Sequence, residues 1–344
     1  LNLLAVARVR KWNTTPETRV GARNEDSLGT ETGPDAVSSS AREHVAPGKR
    51  REVWDNPILW REIRTWAYGK KILAIRLAYL VVALISAFAL HEVLQGEGAA
   101  AQWTSSIPAV AKQLAPLFAV SIILVNALAV TSLTSERDAR ALDLLLVTDL
   151  TPKEVVFGKL GGALYNSKEM ILLPILLAFY AWYSGQASVE NLVFLTIGFL
   201  VVQLFSVVLG LHCGMTYSNS RQATSVSIGT VLFLFVGIAV FMRMMVALGD
   251  RFELQLVPFF GFTAGGGLAL YAALGWRLES NAMKWACGVA PPATFLAITN
   301  FLQHHYGSVF LWTVGAYGFA VAAMLVPAIA EFDVATGRTS DRSD

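Results

Sequence analysis

The stretch SERDARALDLLLVTDLTPKEVVFGK, residues 135–159, lies between two apolar runs, 111–133 and 160–183, and its local grammar sets the order of the helices around it. Ser135 with Asp138 three positions later fits a helix N-cap signature. Glu136, Arg137, Arg140 and Asp143 then form a charged side and Leu142, Leu145 and Leu146 an apolar one, which predicts a short amphipathic helix. The pattern breaks at Asp149. Thr151 follows as a second N-cap, Pro152 needs no amide partner at the first helical position, and Glu154 at the third completes a capping box. The expected structure is a short helix, a tight turn and a new helix that becomes the third of several long apolar segments.

Working outward, the chain is 54% hydrophobic and 15% charged, whereas an average soluble domain carries about 25% charged residues. That balance excludes an ordinary soluble domain and points to a membrane protein. Crossing the hydrocarbon layer takes about 20 mostly apolar residues, and the runs 72–94, 111–133, 160–183, 192–213, 226–248 and 309–330 qualify. The run 257–276 is interrupted by Pro258, Gly261, Gly265, Gly266 and Gly267, so it reads as a broken hairpin. The fold class expected is an all-α membrane protein with about six transmembrane helices.

Charge distribution orients it. Arg61, Arg64, Lys70 and Lys71 precede the first span, while 95–106 and 184–191 contain neither Lys nor Arg. By the positive-inside rule the N-terminal region is cytoplasmic and those two loops face outward. Residues 135–159 are then cytoplasmic, as is 214–222. The chain opens LNLLAVARVRKWN, so residues 1–13 read as the possible end of a preceding transmembrane helix. Residues 14–53 are rich in Ser, Thr, Gly, Glu and Arg and read as a disordered cytoplasmic linker. A transmembrane domain is expected over 54–334 and a cytoplasmic tail over 335–344. With two cysteines in the chain, no disulfide framework is expected.

The domain starts with NPILWREIRTWAYGKK, residues 56–71. Pro57 suits a first helical position. Leu59, Ile63 and Trp66 share one face, Arg61, Glu62 and Arg64 lie off it, and Trp60 and Trp66 favour the headgroup layer. An interfacial helix is expected. Inside the membrane, Lys168, Glu169 and Arg243 stand out, because a central charge costs roughly 2.5–3.5 kcal/mol on insertion scales. Lys168 and Glu169 point about 100° apart on a helix and do not pair with each other. The expected arrangement has Lys168 reaching toward the cytoplasmic side and Glu169 meeting a neighbouring helix or the dimer seam. Arg243 is expected to reach the outer end of the fifth span, and Gly158 with Gly162 permits close helix approach.

Catalytic grammar is sparse. Nothing matches the phosphate-cradling G-x-x-x-x-G-K-[ST] pattern, and His304 with His305 lack metal-ligand spacing. No catalytic or metal site is assigned, and no nucleic-acid partner is expected.

Taken together, NPILWREIRTWAYGKK before the first span and ERDARALDLLLVTDLTPKEVVFGK between the second and third resemble the permease subunits of ABC transporters of the type-2 exporter class. The resemblance covers most of the chain from Asn56 to Ala330. It implies that Pro57, Trp60, Arg61, Arg64 and Trp66 belong to a connecting helix. It also implies that Glu136, Arg137, Arg140, Leu142, Leu145, Leu146, Thr151 and Pro152 form a coupling helix docking on a separate ATP-binding subunit. Gly158–Lys159 and SRQA at 220–223 fit the same pattern, and 257–292 would be the extracytoplasmic re-entrant region. Asp149 departs from it, standing where the family tends to have a small residue. The resemblance further implies a multi-pass subunit of the bacterial inner (plasma) membrane with a cytoplasmic N-terminus. This chain would bind no cofactor and hydrolyse nothing itself, with ATP and magnesium held by the partner. A second permease domain, as homodimer or fused half, and the lipid bilayer complete the partners. Two rivals from other classes are an ion-coupled secondary transporter using Lys168, Glu169 and Arg243, and a non-transporting membrane anchor of a cytoplasmic complex.

Overall fold

A computed structural model describes residues 54–64, 71–95, 109–139, 150–247, 252–276, 280–330 and 332. The linker and tail expectations, Trp66, and Arg140, Leu142, Leu145 and Leu146 lie outside the described residues. Among the described residues the chain is all-helical. The helices are α1 (Pro57–Arg64), α2 (Lys71–Gln95), α3 (Ala109–Asp138), α4 (Pro152–Asn166), α5 (Lys168–Tyr183) and α6 (Val189–Thr216). After them come α7 (Ser220–Leu232), running through a π-helical turn (Phe233–Gly237) into α8 (Ile238–Ala247), and α9 (Phe252–Leu270), ending in a second π turn (Tyr271–Gly275). Helices α10 (Asn281–Leu302) and α11 (Tyr306–Ala330) complete the bundle. Among the described residues, seven continuous helices are long and apolar enough to cross a membrane. The protein is a multi-pass membrane protein.

Polar side chains start these helices where the sequence places them. Asn56 Oδ1 accepts from the Leu59 amide at 2.9 Å, and Ser188 and Asn219 cap α6 and α7 in the same way. Thr151 and Glu154 form the reciprocal capping box, with Pro152 at the first position. Ser135, by contrast, is not a cap. Helix α3 runs unbroken through it to Asp138, and the Ala139 amide still bonds Ser135 O at 3.1 Å. The reason lies in tertiary partners: Arg137 donates to the carbonyls of Gly214 and Tyr217 at the end of α6, which holds the last turn of α3 helical.

Cross-helix partners fix relative depth. Helix α3 runs parallel to α6, with Ser121 beside Gln203, Asn126 beside Ser206 and Arg137 beside Tyr217. Helix α2 runs parallel to α5, pairing Arg76 with Asn166, Tyr79 with Met170 and His91 with Tyr180. The end where α3 finishes and α4 starts is the basal end of the bundle.

The third span corrects an expectation. In place of one helix over 160–183, the chain breaks at Ser167 between α4 and α5. The Ser167 hydroxyl donates to Ala163 O at 2.7 Å and the Asn166 amide nitrogen to Gly162 O at 2.9 Å, so side chains compete with the helical ladder at this point. Pro174 supplies no N–H to Met170 O, four residues back, and that carbonyl accepts instead from Ser121 at 2.6 Å and Tyr79 at 3.1 Å.

The re-entrant hairpin needs correction too. Both limbs, Leu256–Gly275 and Asn281–Leu302, are long enough to cross, which raises the count above six. The first limb reaches the basal end, where its final carbonyls, Ala273 O and Leu274 O, accept from Tyr217 Oη and from His212 Nε2 at the end of α6. Pro258 and the glycines do not interrupt α9. A Cβ on Gly266 would lie 2.5 Å from the Phe233 ring, and one on Gly267 3.5 Å from Gly288 Cα, so these two glycines admit neighbouring helices. Cys213 and Cys287 are both free and buried.

Candidate functional site at the basal end

The basal end concentrates the buried charge. Helix α1 lies parallel to α4 in constant register, Ile58 against Gly158 and Glu62 against Gly162. A Cβ on Gly158 would stand 2.8 Å from Ile58 Cβ, and one on Gly162 2.5 Å from Glu62 Cβ. The two glycines, four residues apart, make one groove that takes two side chains from successive turns of α1. Ile58 and Glu62 are therefore the residues α1 buries, in place of the expected face of Leu59 and Ile63.

A carboxylate placed in that groove needs a counter-charge. Lys159, one turn into the same seam, supplies it: Nζ lies 2.7 Å from Glu62 Oε1 and 2.7 Å from Glu136 Oε1. Glu62 and Lys159 are each 1% exposed. Arg61 pairs with Glu136 and reaches Glu62 Oε1 at 3.4 Å. Two acids and two bases thus form a neutral cluster tying α1, α3 and α4 together. Lys159 Nζ also lies 3.4 Å from Ser132 O, while Glu136 Oε2 is buried with no hydrogen-bond partner among the described residues. Around the cluster, Asn56 Nδ2 donates to Glu154 O at 2.9 Å and Asn166 Nδ2 to Glu62 O at 3.1 Å. Phe332, beyond α11, joins Ile58, Val155 and Val156 in an apolar cluster at the same end.

The expected site residues are distributed as follows. Glu136 and Arg61 enter the charge cluster, Arg137 caps the end of α6, and Thr151 with Pro152 starts α4. Pro57 opens α1, Trp60 is half-buried on it, and Arg64 is exposed at its end. Lys168 and Glu169 open α5, where Glu169 pairs with Arg76 at 3.5 Å, and Arg243 is exposed on α8. Sequence reasoning missed Glu62 and Lys159 as the centre of the cluster. The signal was present in outline, since Lys159 directly follows the first glycine of the Gly158–Gly162 pair.

Outside the spans, Glu154 has a well-defined electrostatic environment. The Thr151 amide donates to its Oε2 at 2.8 Å and the Thr151 hydroxyl does the same at 2.8 Å. Both bonds favour the ionised form and hold the carboxyl below its ordinary value, the amide bond contributing most. Comparisons of the chain with protein-family profiles, curated proteins and solved structures find no match.

Proposed function

We propose that the chain is the transmembrane permease subunit of an ATP-driven exporter of the ABC type-2 class, coupled to a separate ATP-binding subunit that holds ATP and magnesium. The observation that carries this reading is the basal charge cluster. Glu62, Lys159, Glu136 and Arg61 join α1 to both helices flanking residues 140–149. A force applied to that connector is delivered to the end of α3 and the start of α4 together, which is what a coupling element requires. In this reading the basal end is cytoplasmic, α1 is the connecting helix, and the connector with Leu142, Leu145 and Leu146 contacts the ATPase. A second permease domain completes the pathway in the bacterial inner membrane.

The test is co-purification with the ATP-binding subunit encoded nearest to this gene, with hydrolysis measured in the presence and absence of the permease. Leu145→Asp with Leu146→Asp should abolish assembly while leaving the spans folded. Unchanged assembly would remove the docking assignment. Arg137 is a poorer probe, because it caps the end of α6.

The break at Ser167 favours one alternative, an ion-coupled secondary transporter, since such proteins use discontinuous helices at mid-depth. Transport by reconstituted protein driven by an ion gradient without ATP would select it. Absence of any transport with assembly intact would select the anchor reading.

A further inference from the structure

Halfway along the α4–α5 unit lies a second charged group, built differently from the first. An Arg76 terminal nitrogen donates to Asn166 O at 2.7 Å, capping the end of α4. Its Nε faces Glu169 Oε2 at 3.5 Å, and both atoms are buried without a hydrogen-bond partner among the described residues. The side chains are 27% and 38% exposed. Lys168 Nζ sits 4.1 Å from the centroid of the Tyr165 ring. Counting Arg76, Lys168 and Glu169, the patch carries one net positive charge.

Its depth is set by its partners. Ser167 is at the middle of the unit spanning 152–183. Met170, beside Glu169, bonds Ser121, which in turn holds Gln203 at the middle of α6. The patch therefore reaches the surface at the level of the hydrocarbon, and Leu77, next to Arg76 in the chain, and Leu172, one turn beyond Lys168, are exposed there too. Charges exposed at that depth call for a polar occupant. A second copy related by a twofold axis would bring like charges together. An occupant with an anionic head and an apolar body fits both the charge and the flanks.

We propose that Arg76 and Lys168, with Tyr165 beneath, bind the anionic head group of a phospholipid-like amphiphile whose chains lie along Leu77 and Leu172. Glu169 competes with that head group for Arg76 and keeps its hold loose enough for passage. The amphiphile as the exported substrate class rests on the transport reading; its binding does not.

The experiment uses the full chain, without any ATPase, in micelles holding equal phosphatidylglycerol and phosphatidylcholine of matched chains, with retained lipid counted by native mass spectrometry. Phosphatidylglycerol should be preferred. Lys168→Gln, which removes no hydrogen bond, should lower that preference about five- to tenfold, and Glu169→Gln should raise it. A purely structural role for Glu169 would not produce the rise. No preference in the parent, or a preference that neither substitution moves, would overturn the site. So would inorganic phosphate displacing the lipid at comparable concentration, since the apolar body would then contribute nothing. Intact selectivity with no ATPase stimulation in the co-purified complex would overturn the export reading and leave the site standing.

Discussion

The two charged groups of this protein use similar residues and reach opposite outcomes. At the basal end, Glu62, Lys159, Glu136 and Arg61 form a neutral cluster whose central pair is almost fully enclosed. At the α4–α5 break, Arg76, Glu169 and Lys168 are partly open, loosely paired and net positive. The difference traces to the glycines. Gly158 and Gly162 bring α1 directly against α4 and exclude everything else from the basal seam. At the break the Arg76 and Glu169 side chains stay 27% and 38% exposed. Enclosed charge fastens helices together; open charge is available to a ligand.

Removing the central cation attacks this contrast most severely. Lys159→Met leaves Glu62 buried with only Arg61 at 3.4 Å, and should cost about 3–5 kcal/mol because an uncompensated charge remains in the seam. Pairing it with Glu62→Leu should recover most of that loss, since apolar replacement of both partners is often neutral. Thermal unfolding in detergent reads both. If the single variant is as stable as the parent, the cluster does not fasten α1.

A smaller effect is expected from the groove itself. Gly162→Ala places a Cβ 2.5 Å from Glu62 Cβ and should destabilise by about 1–3 kcal/mol, the range for overpacking. Gly261→Ala is the matched control, because its Cβ would meet nothing within 4 Å and alanine gains up to about 1 kcal/mol of helix propensity. Opposite signs would establish that the groove, and not glycine content, positions α1. Lys168→Gln lies lower still, within about 0.5 kcal/mol of the parent, so any change in lipid selectivity would report on binding alone.

Much of this was legible in the sequence, and the misreadings have definite physical causes. Apolar runs located most spans because hydrocarbon thickness leaves little freedom in their length. The Thr151–Pro152–Glu154 start was legible because capping is a local interaction among four residues. Ser135 has the same local pattern, yet α3 continues through it, since Arg137 finds its partners on α6, far away in the chain. Glycines in α9 resembled breaks, but Gly266 makes room for the Phe233 ring, a contact no local pattern reveals. The Glu62–Lys159 pair joins residues 97 positions apart, and nothing in either neighbourhood announces the other. The break at Ser167 was the most readable of the missed features, because Asn166, Ser167, Lys168 and Glu169 place four polar residues in succession inside an apolar run.

The smallest expected effect concerns the joint that starts α4, next to the enclosed cluster. Glu154 is held below its ordinary value by the Thr151 amide and hydroxyl. A depressed carboxyl stabilises the helix start fully above the unfolded value, about 4.3 for glutamate. That contribution is lost as pH falls through the lower folded value. Between pH 7 and 5 the amides at the start of α4 should therefore keep constant protection against hydrogen exchange, and protection should fall only on further acidification. Glu154→Gln should flatten this dependence while Thr151 keeps its cap on the Glu154 amide. The basal cluster would then be seen to outlast the cap, because α1 remains seated through Gly158 and Gly162 whether or not the first turn of α4 frays. If α1 loses protection in step with that turn, the joint and the cluster are one unit, and the contrast between enclosed and open charge extends to the start of α4.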